Sequence, residues 1–207
     1  MNKVVISGSG LYTPPYSVSN DELVTCYNSY VDQFNQQHAE DIDAGTTAAL
    51  AYSSSEFIEK ASGIKSRYVM VKDGILDTDI MMPLIADKPS EALSMQAEMG
   101  IAAAKQALEQ ANVNAEDIDL VIVACAYTQR AYPAIAIEIQ QAMGTKGFAY
   151  DMLVACSSAT FAIVNAVNAI RGGTANRVLV INPELTSPQI NFRDRDSHFI
   201  FGDVATA

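Results

Sequence analysis

Apolar residues along this chain follow two patterns, short continuous runs and helical spacing, and the two patterns alternate. The continuous runs, typical of strands buried on both faces of a sheet, lie at 3–10, 118–126, 148–155 and 177–182. Helical spacing with start and stop residues predicts helices at 91–111, 133–144 and 157–171. A last run, 197–207, follows its neighbour with no helix between them, which favours an antiparallel strand.

The predicted order is therefore βαβαβαββ, and the predicted fold class is α/β with a mixed five-stranded sheet covered by helices. Two stretches do not fit the alternation and are interpreted as insertions, at about 26–55 and about 69–90. The final FGDVATA runs to the end of the sequence with no turn or polar tail. We therefore expect residues 1–207 to form one half of a larger fold.

Composition and charge exclude several classes of protein. The chain has 207 residues, 49% of them hydrophobic, and a net charge of -11, which opposes binding to nucleic acid or to anionic lipid. No stretch predicts a signal peptide or a membrane-spanning helix. The three cysteines show no CxxC spacing, so we expect no disulfide framework, no metal site and a reducing, cytoplasmic setting.

Cys156 lies where a predicted strand ends and a predicted helix begins. Free backbone N–H groups and the positive end of the helix dipole favour a thiolate at such a position, and the same groups can hold an oxyanion. The small residues that follow leave room for a substrate. The alternative is a buried cysteine that only fills space, as we interpret Cys26 and Cys125. The residue pattern alone leaves both interpretations of Cys156 open.

Five segments of the chain carry a resemblance to a known family: VVISGSGLYTPP, SGIKSRY, AYPAIAIEIQQAMG, DMLVACSSATFA and RDRDSHFIFGD. In that order they resemble the first strand, the TGI segment, the helix after strand two, the nucleophile segment and the FGD strand of the β-ketoacyl-ACP synthase III group of the thiolase superfamily. The resemblance covers essentially the whole chain. It implies a thiolase-like fold, which duplicates the βαβαβαββ unit, with this chain as the N-terminal half.

The resemblance also implies a reaction, a decarboxylating Claisen condensation in fatty acid biosynthesis. An acyl-CoA primer would acylate Cys156, and the carbanion formed from malonyl-ACP would then attack the thioester. Acyl-CoA and acyl carrier protein would be the partners, and no cofactor is implied. A histidine and an asparagine of the family's second half activate malonyl-ACP, so these 207 residues alone are expected not to condense.

Three further positions are assigned only by the resemblance. Tyr132 matches an aromatic that reaches across a homodimer interface into the partner's acyl pocket; the alternative is an aromatic packed locally at the helix entry. Phe57 and Arg195 match the residues on the two faces of the CoA adenine, and their alternatives are ordinary core and a solvated loop. The chain departs from the family at Ala61, which replaces a second arginine, and at the last residues, FGDVATA instead of FGDGAGA.

Two histidines are present, His38 and His198, and we interpret them as a solvated side chain and a strand side chain rather than as bases. Two alternative functions stay open. One is a non-catalytic thiolase-fold subunit that keeps the fold while a partner does the chemistry. The other is a related thiolase-fold acyltransferase that works without decarboxylation.

Overall fold

The computed structural model describes residues 3–207, which fall into two compact units. The first unit comprises 3–13, 87–185 and 204–207, and the second comprises 14–86 and 186–203. In chain order the elements are β1 (Leu11–Tyr12), β2 (Tyr16–Ser19), α1 (Asn20–Gln37), α2 (Ala39–Asp43), α3 (Ser55–Ser62), β3 (Ser66–Val69), α4 (Met95–Ala111), β4 (Leu120–Cys125), α5 (Ile135–Met143), β5 (Phe148–Leu153), α6 (Ser158–Arg171), β6 (Val178–Leu185) and β7 (Asp203–Thr206). Short 3₁₀ turns cover Ala115–Asp117, Ala155–Ser157 and Ser187–Gln189.

A mixed five-stranded sheet forms the centre of the first unit, in the order β1-β7-β6-β4-β5. β4 pairs in parallel with both β5 and β6, and β1 pairs antiparallel with β7. The predicted strands at 118–126, 148–155 and 177–182 correspond to β4, β5 and β6. The prediction of an α/β protein with a mixed five-stranded sheet is therefore confirmed.

β4 is buried along its whole length because helices cover both of its faces. Val121, Val123 and Cys125 pack with residues of α4 and α5, whereas Leu120, Ile122 and Ala124 pack with residues of α6. Successive side chains of a strand point to opposite faces, so a continuous apolar run is what this position requires.

The predicted first strand at 3–10 is wrong in its position, because only Leu11–Tyr12 form a strand there. Val5 and Ile6 are 67% and 81% exposed, so the apolar run that predicted a buried strand is not buried. Gly8 and Gly10 lie instead against the backbone of α4, so closely that a Cβ on Gly10 would overlap the carbonyl oxygen of Ala103. The glycines serve this close approach of two backbones rather than a sharp turn after a strand.

The helix starts are set by capping groups. α4 begins at Met95, four residues after the predicted start, because the Ser94 hydroxyl accepts a hydrogen bond from Ala97 N and caps the helix. α5 begins at Ile135, and its cap comes from a distant strand. The Asp151 carboxylate accepts from Ile135 N and Ala136 N, at 2.8 Å each.

The second unit is built on the two-stranded antiparallel sheet of β2 and β3 and on helices α1 and α3. α1 starts with a capping box between Ser19 and Glu22. It therefore begins before the predicted insertion at 26–55, and its buried residues recur at helical spacing. The predicted insertion at 69–90 contains no helix or strand beyond Val69 among its residues, all of which the structure describes.

The predicted last strand at 197–207 is wrong over its first half, because only Asp203–Thr206 form β7. The side chain of Asp194 accepts a hydrogen bond from Asp196 N, and its carbonyl accepts from His198 N. This Asx turn competes with an extended strand. It carries His198 and Phe199 into the buried core of the second unit.

Gly10→Ala is expected to lower the free energy of unfolding by about 1–3 kcal/mol, because the new methyl group forces the N-terminal segment away from α4. Urea unfolding followed by circular dichroism measures the change. Ser7→Ala, a change at an exposed residue of the same segment, is the matched control and should alter stability by less than about 0.5 kcal/mol. Equal stabilities for the two variants would contradict the close approach.

Candidate active site

Cys156 lies in the 3₁₀ turn Ala155–Ser157, between the end of β5 and the start of α6. The residue before it, Ala155, has a φ of +47°, in the left-handed region that residues with a side chain rarely adopt. This conformation costs roughly 1–2 kcal/mol. The turn presents Cys156 to solvent, at the end of the helix where N–H groups have no intrahelical acceptor.

The other two cysteines are buried, and their environments differ from that of Cys156. Cys125 ends β4, and its Sγ donates to the carbonyl of Tyr127 at 3.1 Å. Burial, more than the nearby Glu184 carboxylate, raises the pKa of the Cys125 thiol to about 12. Burial likewise raises the pKa of Cys26. Both side chains fit the predicted packing role, and only Cys156 is exposed.

The hydroxyl of Ser158, the first residue of α6, is connected to the turn that carries Cys156. Ser158 Oγ accepts a hydrogen bond from Val154 N at 2.8 Å. Its O–H lies 2.8 Å from the carbonyl oxygen of Ala155 and 2.9 Å from that of Cys125. Sequence reasoning treated Ser158 only as a small residue, since nothing in a single sequence shows which groups a buried hydroxyl will meet.

Tyr132 is 89% exposed, in the loop between β4 and α5. This exposure does not fit the alternative of an aromatic packed locally. The loop itself is held by α4, because the buried side-chain amide of Gln96 donates to the carbonyl of Tyr127 and accepts from Gln129 N. Arg130 adds hydrogen bonds to the carbonyls of Ser90 and Ala92, at 3.2 Å each. A fixed loop therefore presents an exposed ring.

Asp151 also contributes to this part of the first unit, and sequence reasoning missed its role. Its carboxylate caps α5, the helix that follows the Tyr132 loop, and it lies on β5, the strand that leads to Cys156. The first residue of the DMLVAC segment thus links the two loops. The sequence does contain one signal for this role: Ala134, the residue before α5, has no side chain that can cap the helix, so the cap must come from another residue.

Phe57 and Arg195 lie in the second unit and are in contact with each other. The Arg195 guanidinium carbon is 4.0 Å from the centre of the Phe57 ring, a cation–π contact. Arg195 Nε donates to the carbonyl of Tyr52 at 2.7 Å, and its Nη1 lies 3.1 Å from an oxygen of Asp196. The structure thus brings together two residues that are 138 positions apart in sequence. Ala61, the departure from the family pattern, lies in the same helix as Phe57.

Both histidines belong to the second unit. His38 directly follows α1 and is partly exposed, with its Nδ1 3.7 Å from an oxygen of Asp41. His198 is fully buried, with its ring 4.8 Å from the Tyr27 ring and 5.7 Å from the Phe199 ring. The prediction that His198 is a strand side chain is wrong, because it lies in the turn after Asp194.

Within residues 3–207, no three or more His, Cys, Asp or Glu side chains cluster closely enough to hold a metal ion. No helix in the same range is both long enough and apolar enough to cross a membrane.

Comparison with known proteins gives a consistent result. Residues 150–207 match the family model described as 3-oxoacyl-[acyl-carrier-protein (ACP)] synthase III. The beta-ketodecanoyl-[acyl-carrier-protein] synthase of Pseudomonas aeruginosa is 57% identical over 181 residues, which make up 87% of this chain and 52% of that protein. The beta-ketoacyl-[acyl-carrier-protein] synthase III of Brucella anthropi is 38% identical over 156 residues, 75% of this chain and 42% of that protein.

Among solved structures, the 3-oxoacyl-[acyl-carrier-protein] synthase III of Aquifex aeolicus is similar with a TM-score of 0.70 and 28% identity. The match covers 97% of this chain and 51% of the Aquifex chain. This chain therefore spans about half the length of the curated relatives and solved structures that it matches.

The burial of His198 predicts a pH-dependent stability. Burial lowers its pKa from 6.5 to about 4, so between these values the unfolded chain binds a proton that the folded chain does not. The stability contribution of this group is therefore lost as the pH falls, by about 2 kcal/mol between pH 7 and pH 5. Urea unfolding at several pH values measures it.

In this experiment, His198→Leu should remove that part of the pH dependence, whereas His38→Gln, at the partly exposed histidine, should retain it. The charged groups near the His198 ring are the buried Arg67 cation, Asp194 and Arg195, and the ring itself packs against the Tyr27 ring. An unchanged slope in His198→Leu would show that other groups cause the pH dependence.

Proposed function

Because this chain belongs to the 3-oxoacyl-[acyl-carrier-protein] synthase III family, we propose that Cys156 is the nucleophile of an acyl transfer from acyl-CoA. The observation that carries the proposal is the exposure of this single cysteine, on a strained turn at the start of a 14-residue helix. Backbone N–H groups and a helix dipole stabilise negative charge there. The geometry suits both the thiolate and the oxyanion of a tetrahedral intermediate.

The reaction we propose has two stages. The Cys156 thiolate attacks the thioester carbonyl, the C–S bond to CoA breaks, and the CoA thiolate leaves with a proton from solvent. Malonyl-ACP then loses CO2, and the resulting carbanion attacks the acyl-cysteine, which releases the Cys156 thiolate and forms β-ketoacyl-ACP. The first unit contains no histidine, so we assign only the first stage to the residues of this chain. The second stage requires hydrogen-bond donors that stabilise the carbanion, and these must come from elsewhere.

We propose a medium-chain primer. The relative that is 57% identical carries the name of a product with a ten-carbon acyl group. Condensation with malonyl-ACP adds two carbons, so the corresponding primer has eight. Octanoyl-CoA is accordingly the acyl donor that we propose for this chain, with an acyl carrier protein as the second partner.

The Phe57–Arg195 pair is the proposed site for the adenine of CoA. A flat aromatic base can stack on the Phe57 ring and receive the guanidinium on its other face. In the present structure the two side chains touch at 4.0 Å, so the base must displace Arg195 from the ring. The hydrogen bond from Arg195 to the Tyr52 carbonyl holds the guanidinium near the opening that this movement creates.

The exposed edge of the sheet supports a homodimer, in which Tyr132 would enter the acyl pocket of the other copy. β5 is an edge strand, and its Phe148 and Leu153 are 43% and 49% exposed. An exposed apolar edge strand is a site for pairing with another chain.

The free state of all three cysteines agrees with the reducing cytoplasm that we propose as the compartment.

Acylation of Cys156 can be measured by intact mass after incubation with octanoyl-CoA or acetyl-CoA. We expect one octanoyl group on the protein, a smaller acetyl adduct, and no adduct on Cys156→Ala. Cys125→Ala and Cys26→Ala are the controls, and each should retain the adduct because both thiols are buried.

An adduct that persists in Cys156→Ala would contradict the assignment of the nucleophile. A protein that is folded but never acylated would instead favour the non-catalytic subunit. A preference for acetyl-CoA over octanoyl-CoA would contradict the medium-chain primer alone.

Phe57→Ala and Arg195→Ala test the adenine site separately from the chemistry. Each is expected to raise the half-saturating concentration of octanoyl-CoA, about tenfold for Phe57→Ala, because stacking on a base contributes about 1–3 kcal/mol. The maximal acylation rate should stay the same, as measured by rapid-quench mass spectrometry.

The control for this prediction is the octanoyl thioester of N-acetylcysteamine, which has the reactive group of octanoyl-CoA without its adenine. Its acylation rate should be the same in both variants and the parent protein. If both thioesters lose rate equally, Phe57 and Arg195 do not recognise adenine.

A further inference from the structure

We propose that Ser158 is a positioning residue, whose buried hydroxyl holds Cys156 in the orientation that accepts an acyl group. The inference rests on the proposed function, since it concerns the same nucleophile. Ser158 itself is only 2% exposed, so its side chain acts through the turn rather than on the substrate.

The turn needs a restraint because its backbone is strained. Ala155, immediately before Cys156, is held at a φ of +47°, and a non-glycine residue stays there only when its surroundings require it. Two of the hydrogen bonds of Ser158 act on this strained segment. The hydroxyl oxygen accepts from Val154 N, and the hydroxyl proton faces the carbonyl oxygen of Ala155, both at 2.8 Å.

The same hydroxyl ties the turn to the most deeply buried strand of the first unit. The carbonyl oxygen of Cys125, at the end of β4, lies 2.9 Å from Ser158 Oγ, and Cys125 is fully buried. The single O–H is therefore shared between a carbonyl of the strained turn and a carbonyl of a fully buried strand. This arrangement fixes the turn relative to the sheet.

Helix capping does not explain this hydroxyl. A capping side chain accepts from the N–H of the second or third helical residue. Ser158 is already helical, and its three partners, Val154, Ala155 and Cys125, all lie outside α6. The residue in the capping position, Ser157, makes no side-chain capping bond. The hydroxyl thus restrains the segment that precedes the nucleophile.

Ser158→Ala tests the proposal, with acylation of Cys156 by octanoyl-CoA and its alkylation by iodoacetamide as readouts. We expect the maximal acylation rate to fall about tenfold, which corresponds to one or two lost hydrogen bonds. The half-saturating concentration of octanoyl-CoA should change by less than about twofold, because Ser158 does not touch the substrate. Thr160→Val, which deletes an exposed hydroxyl two residues along α6, should leave both quantities unchanged.

A second substitution separates positioning from general stability. Ala155→Gly removes the cost of the left-handed conformation, so in the Ser158→Ala background it should restore at least about a third of the lost rate. Ser158→Thr, which keeps the hydroxyl, should also retain most of the rate.

The proposal would be overturned if a folded Ser158→Ala variant were acylated and alkylated as fast as Thr160→Val. It would also be overturned if adding Ala155→Gly to Ser158→Ala restored none of the lost acylation rate. If Ser158→Ala itself does not fold, a double variant Ala155→Gly/Ser158→Ala that is also unfolded would overturn it. Alkylation keeps this test separate from the proposed function. A parent protein that is alkylated at Cys156 but never acylated would refute the acyl transfer. The alkylation rates of Ser158→Ala and Thr160→Val would then still decide the role of Ser158.

Discussion

Burial of β4 on both faces is the constraint on which the rest of the first unit depends. Alternate side chains of this strand pack against α4 and α5 on one side and against α6 on the other. The strand can therefore neither shift nor rotate without exposing one of two apolar layers. Its carboxyl end becomes a fixed point, and the loops that begin or end there inherit its position.

Two different contacts transmit that position to the candidate site. The Ser158 hydroxyl links the end of β4 to the turn that carries Cys156. The Gln96 side chain links α4 to the backbone at Tyr127 and Gln129, in the loop that presents Tyr132. The exposed Cys156 thiol and the exposed Tyr132 ring thus both rest on rigid supports. This division suits a site that must remain open to a substrate and still hold its geometry.

The sequence predicts the elements that leave a periodic pattern of apolar residues. It does not predict the features that are set by contacts between residues far apart in the sequence. The apolar run at β4 and the helical spacing of α4, α5 and α6 predict those elements well, because burial on both faces or on one stripe leaves a direct pattern. The run at 3–10 gives the same pattern, yet Gly8 and Gly10 dock against α4 and leave Val5 and Ile6 exposed. The position of Cys156 between strand and helix follows from local sequence signals. The hydrogen-bond partners of Ser158 and Asp151, by contrast, lie up to 33 positions away in the sequence.

The contact between Arg195 and Phe57 has a consequence for the apparent affinity of any planar ligand. The guanidinium occupies the ring face that such a ligand would need, so the protein contains its own intramolecular competitor. A cation–π contact of about 0.5–1 kcal/mol reduces the apparent association constant by roughly two- to fivefold. The same contact covers the apolar Phe57 ring when no ligand is bound. The weaker binding of a planar ligand is therefore coupled to protection of this ring from unwanted association with other apolar surfaces.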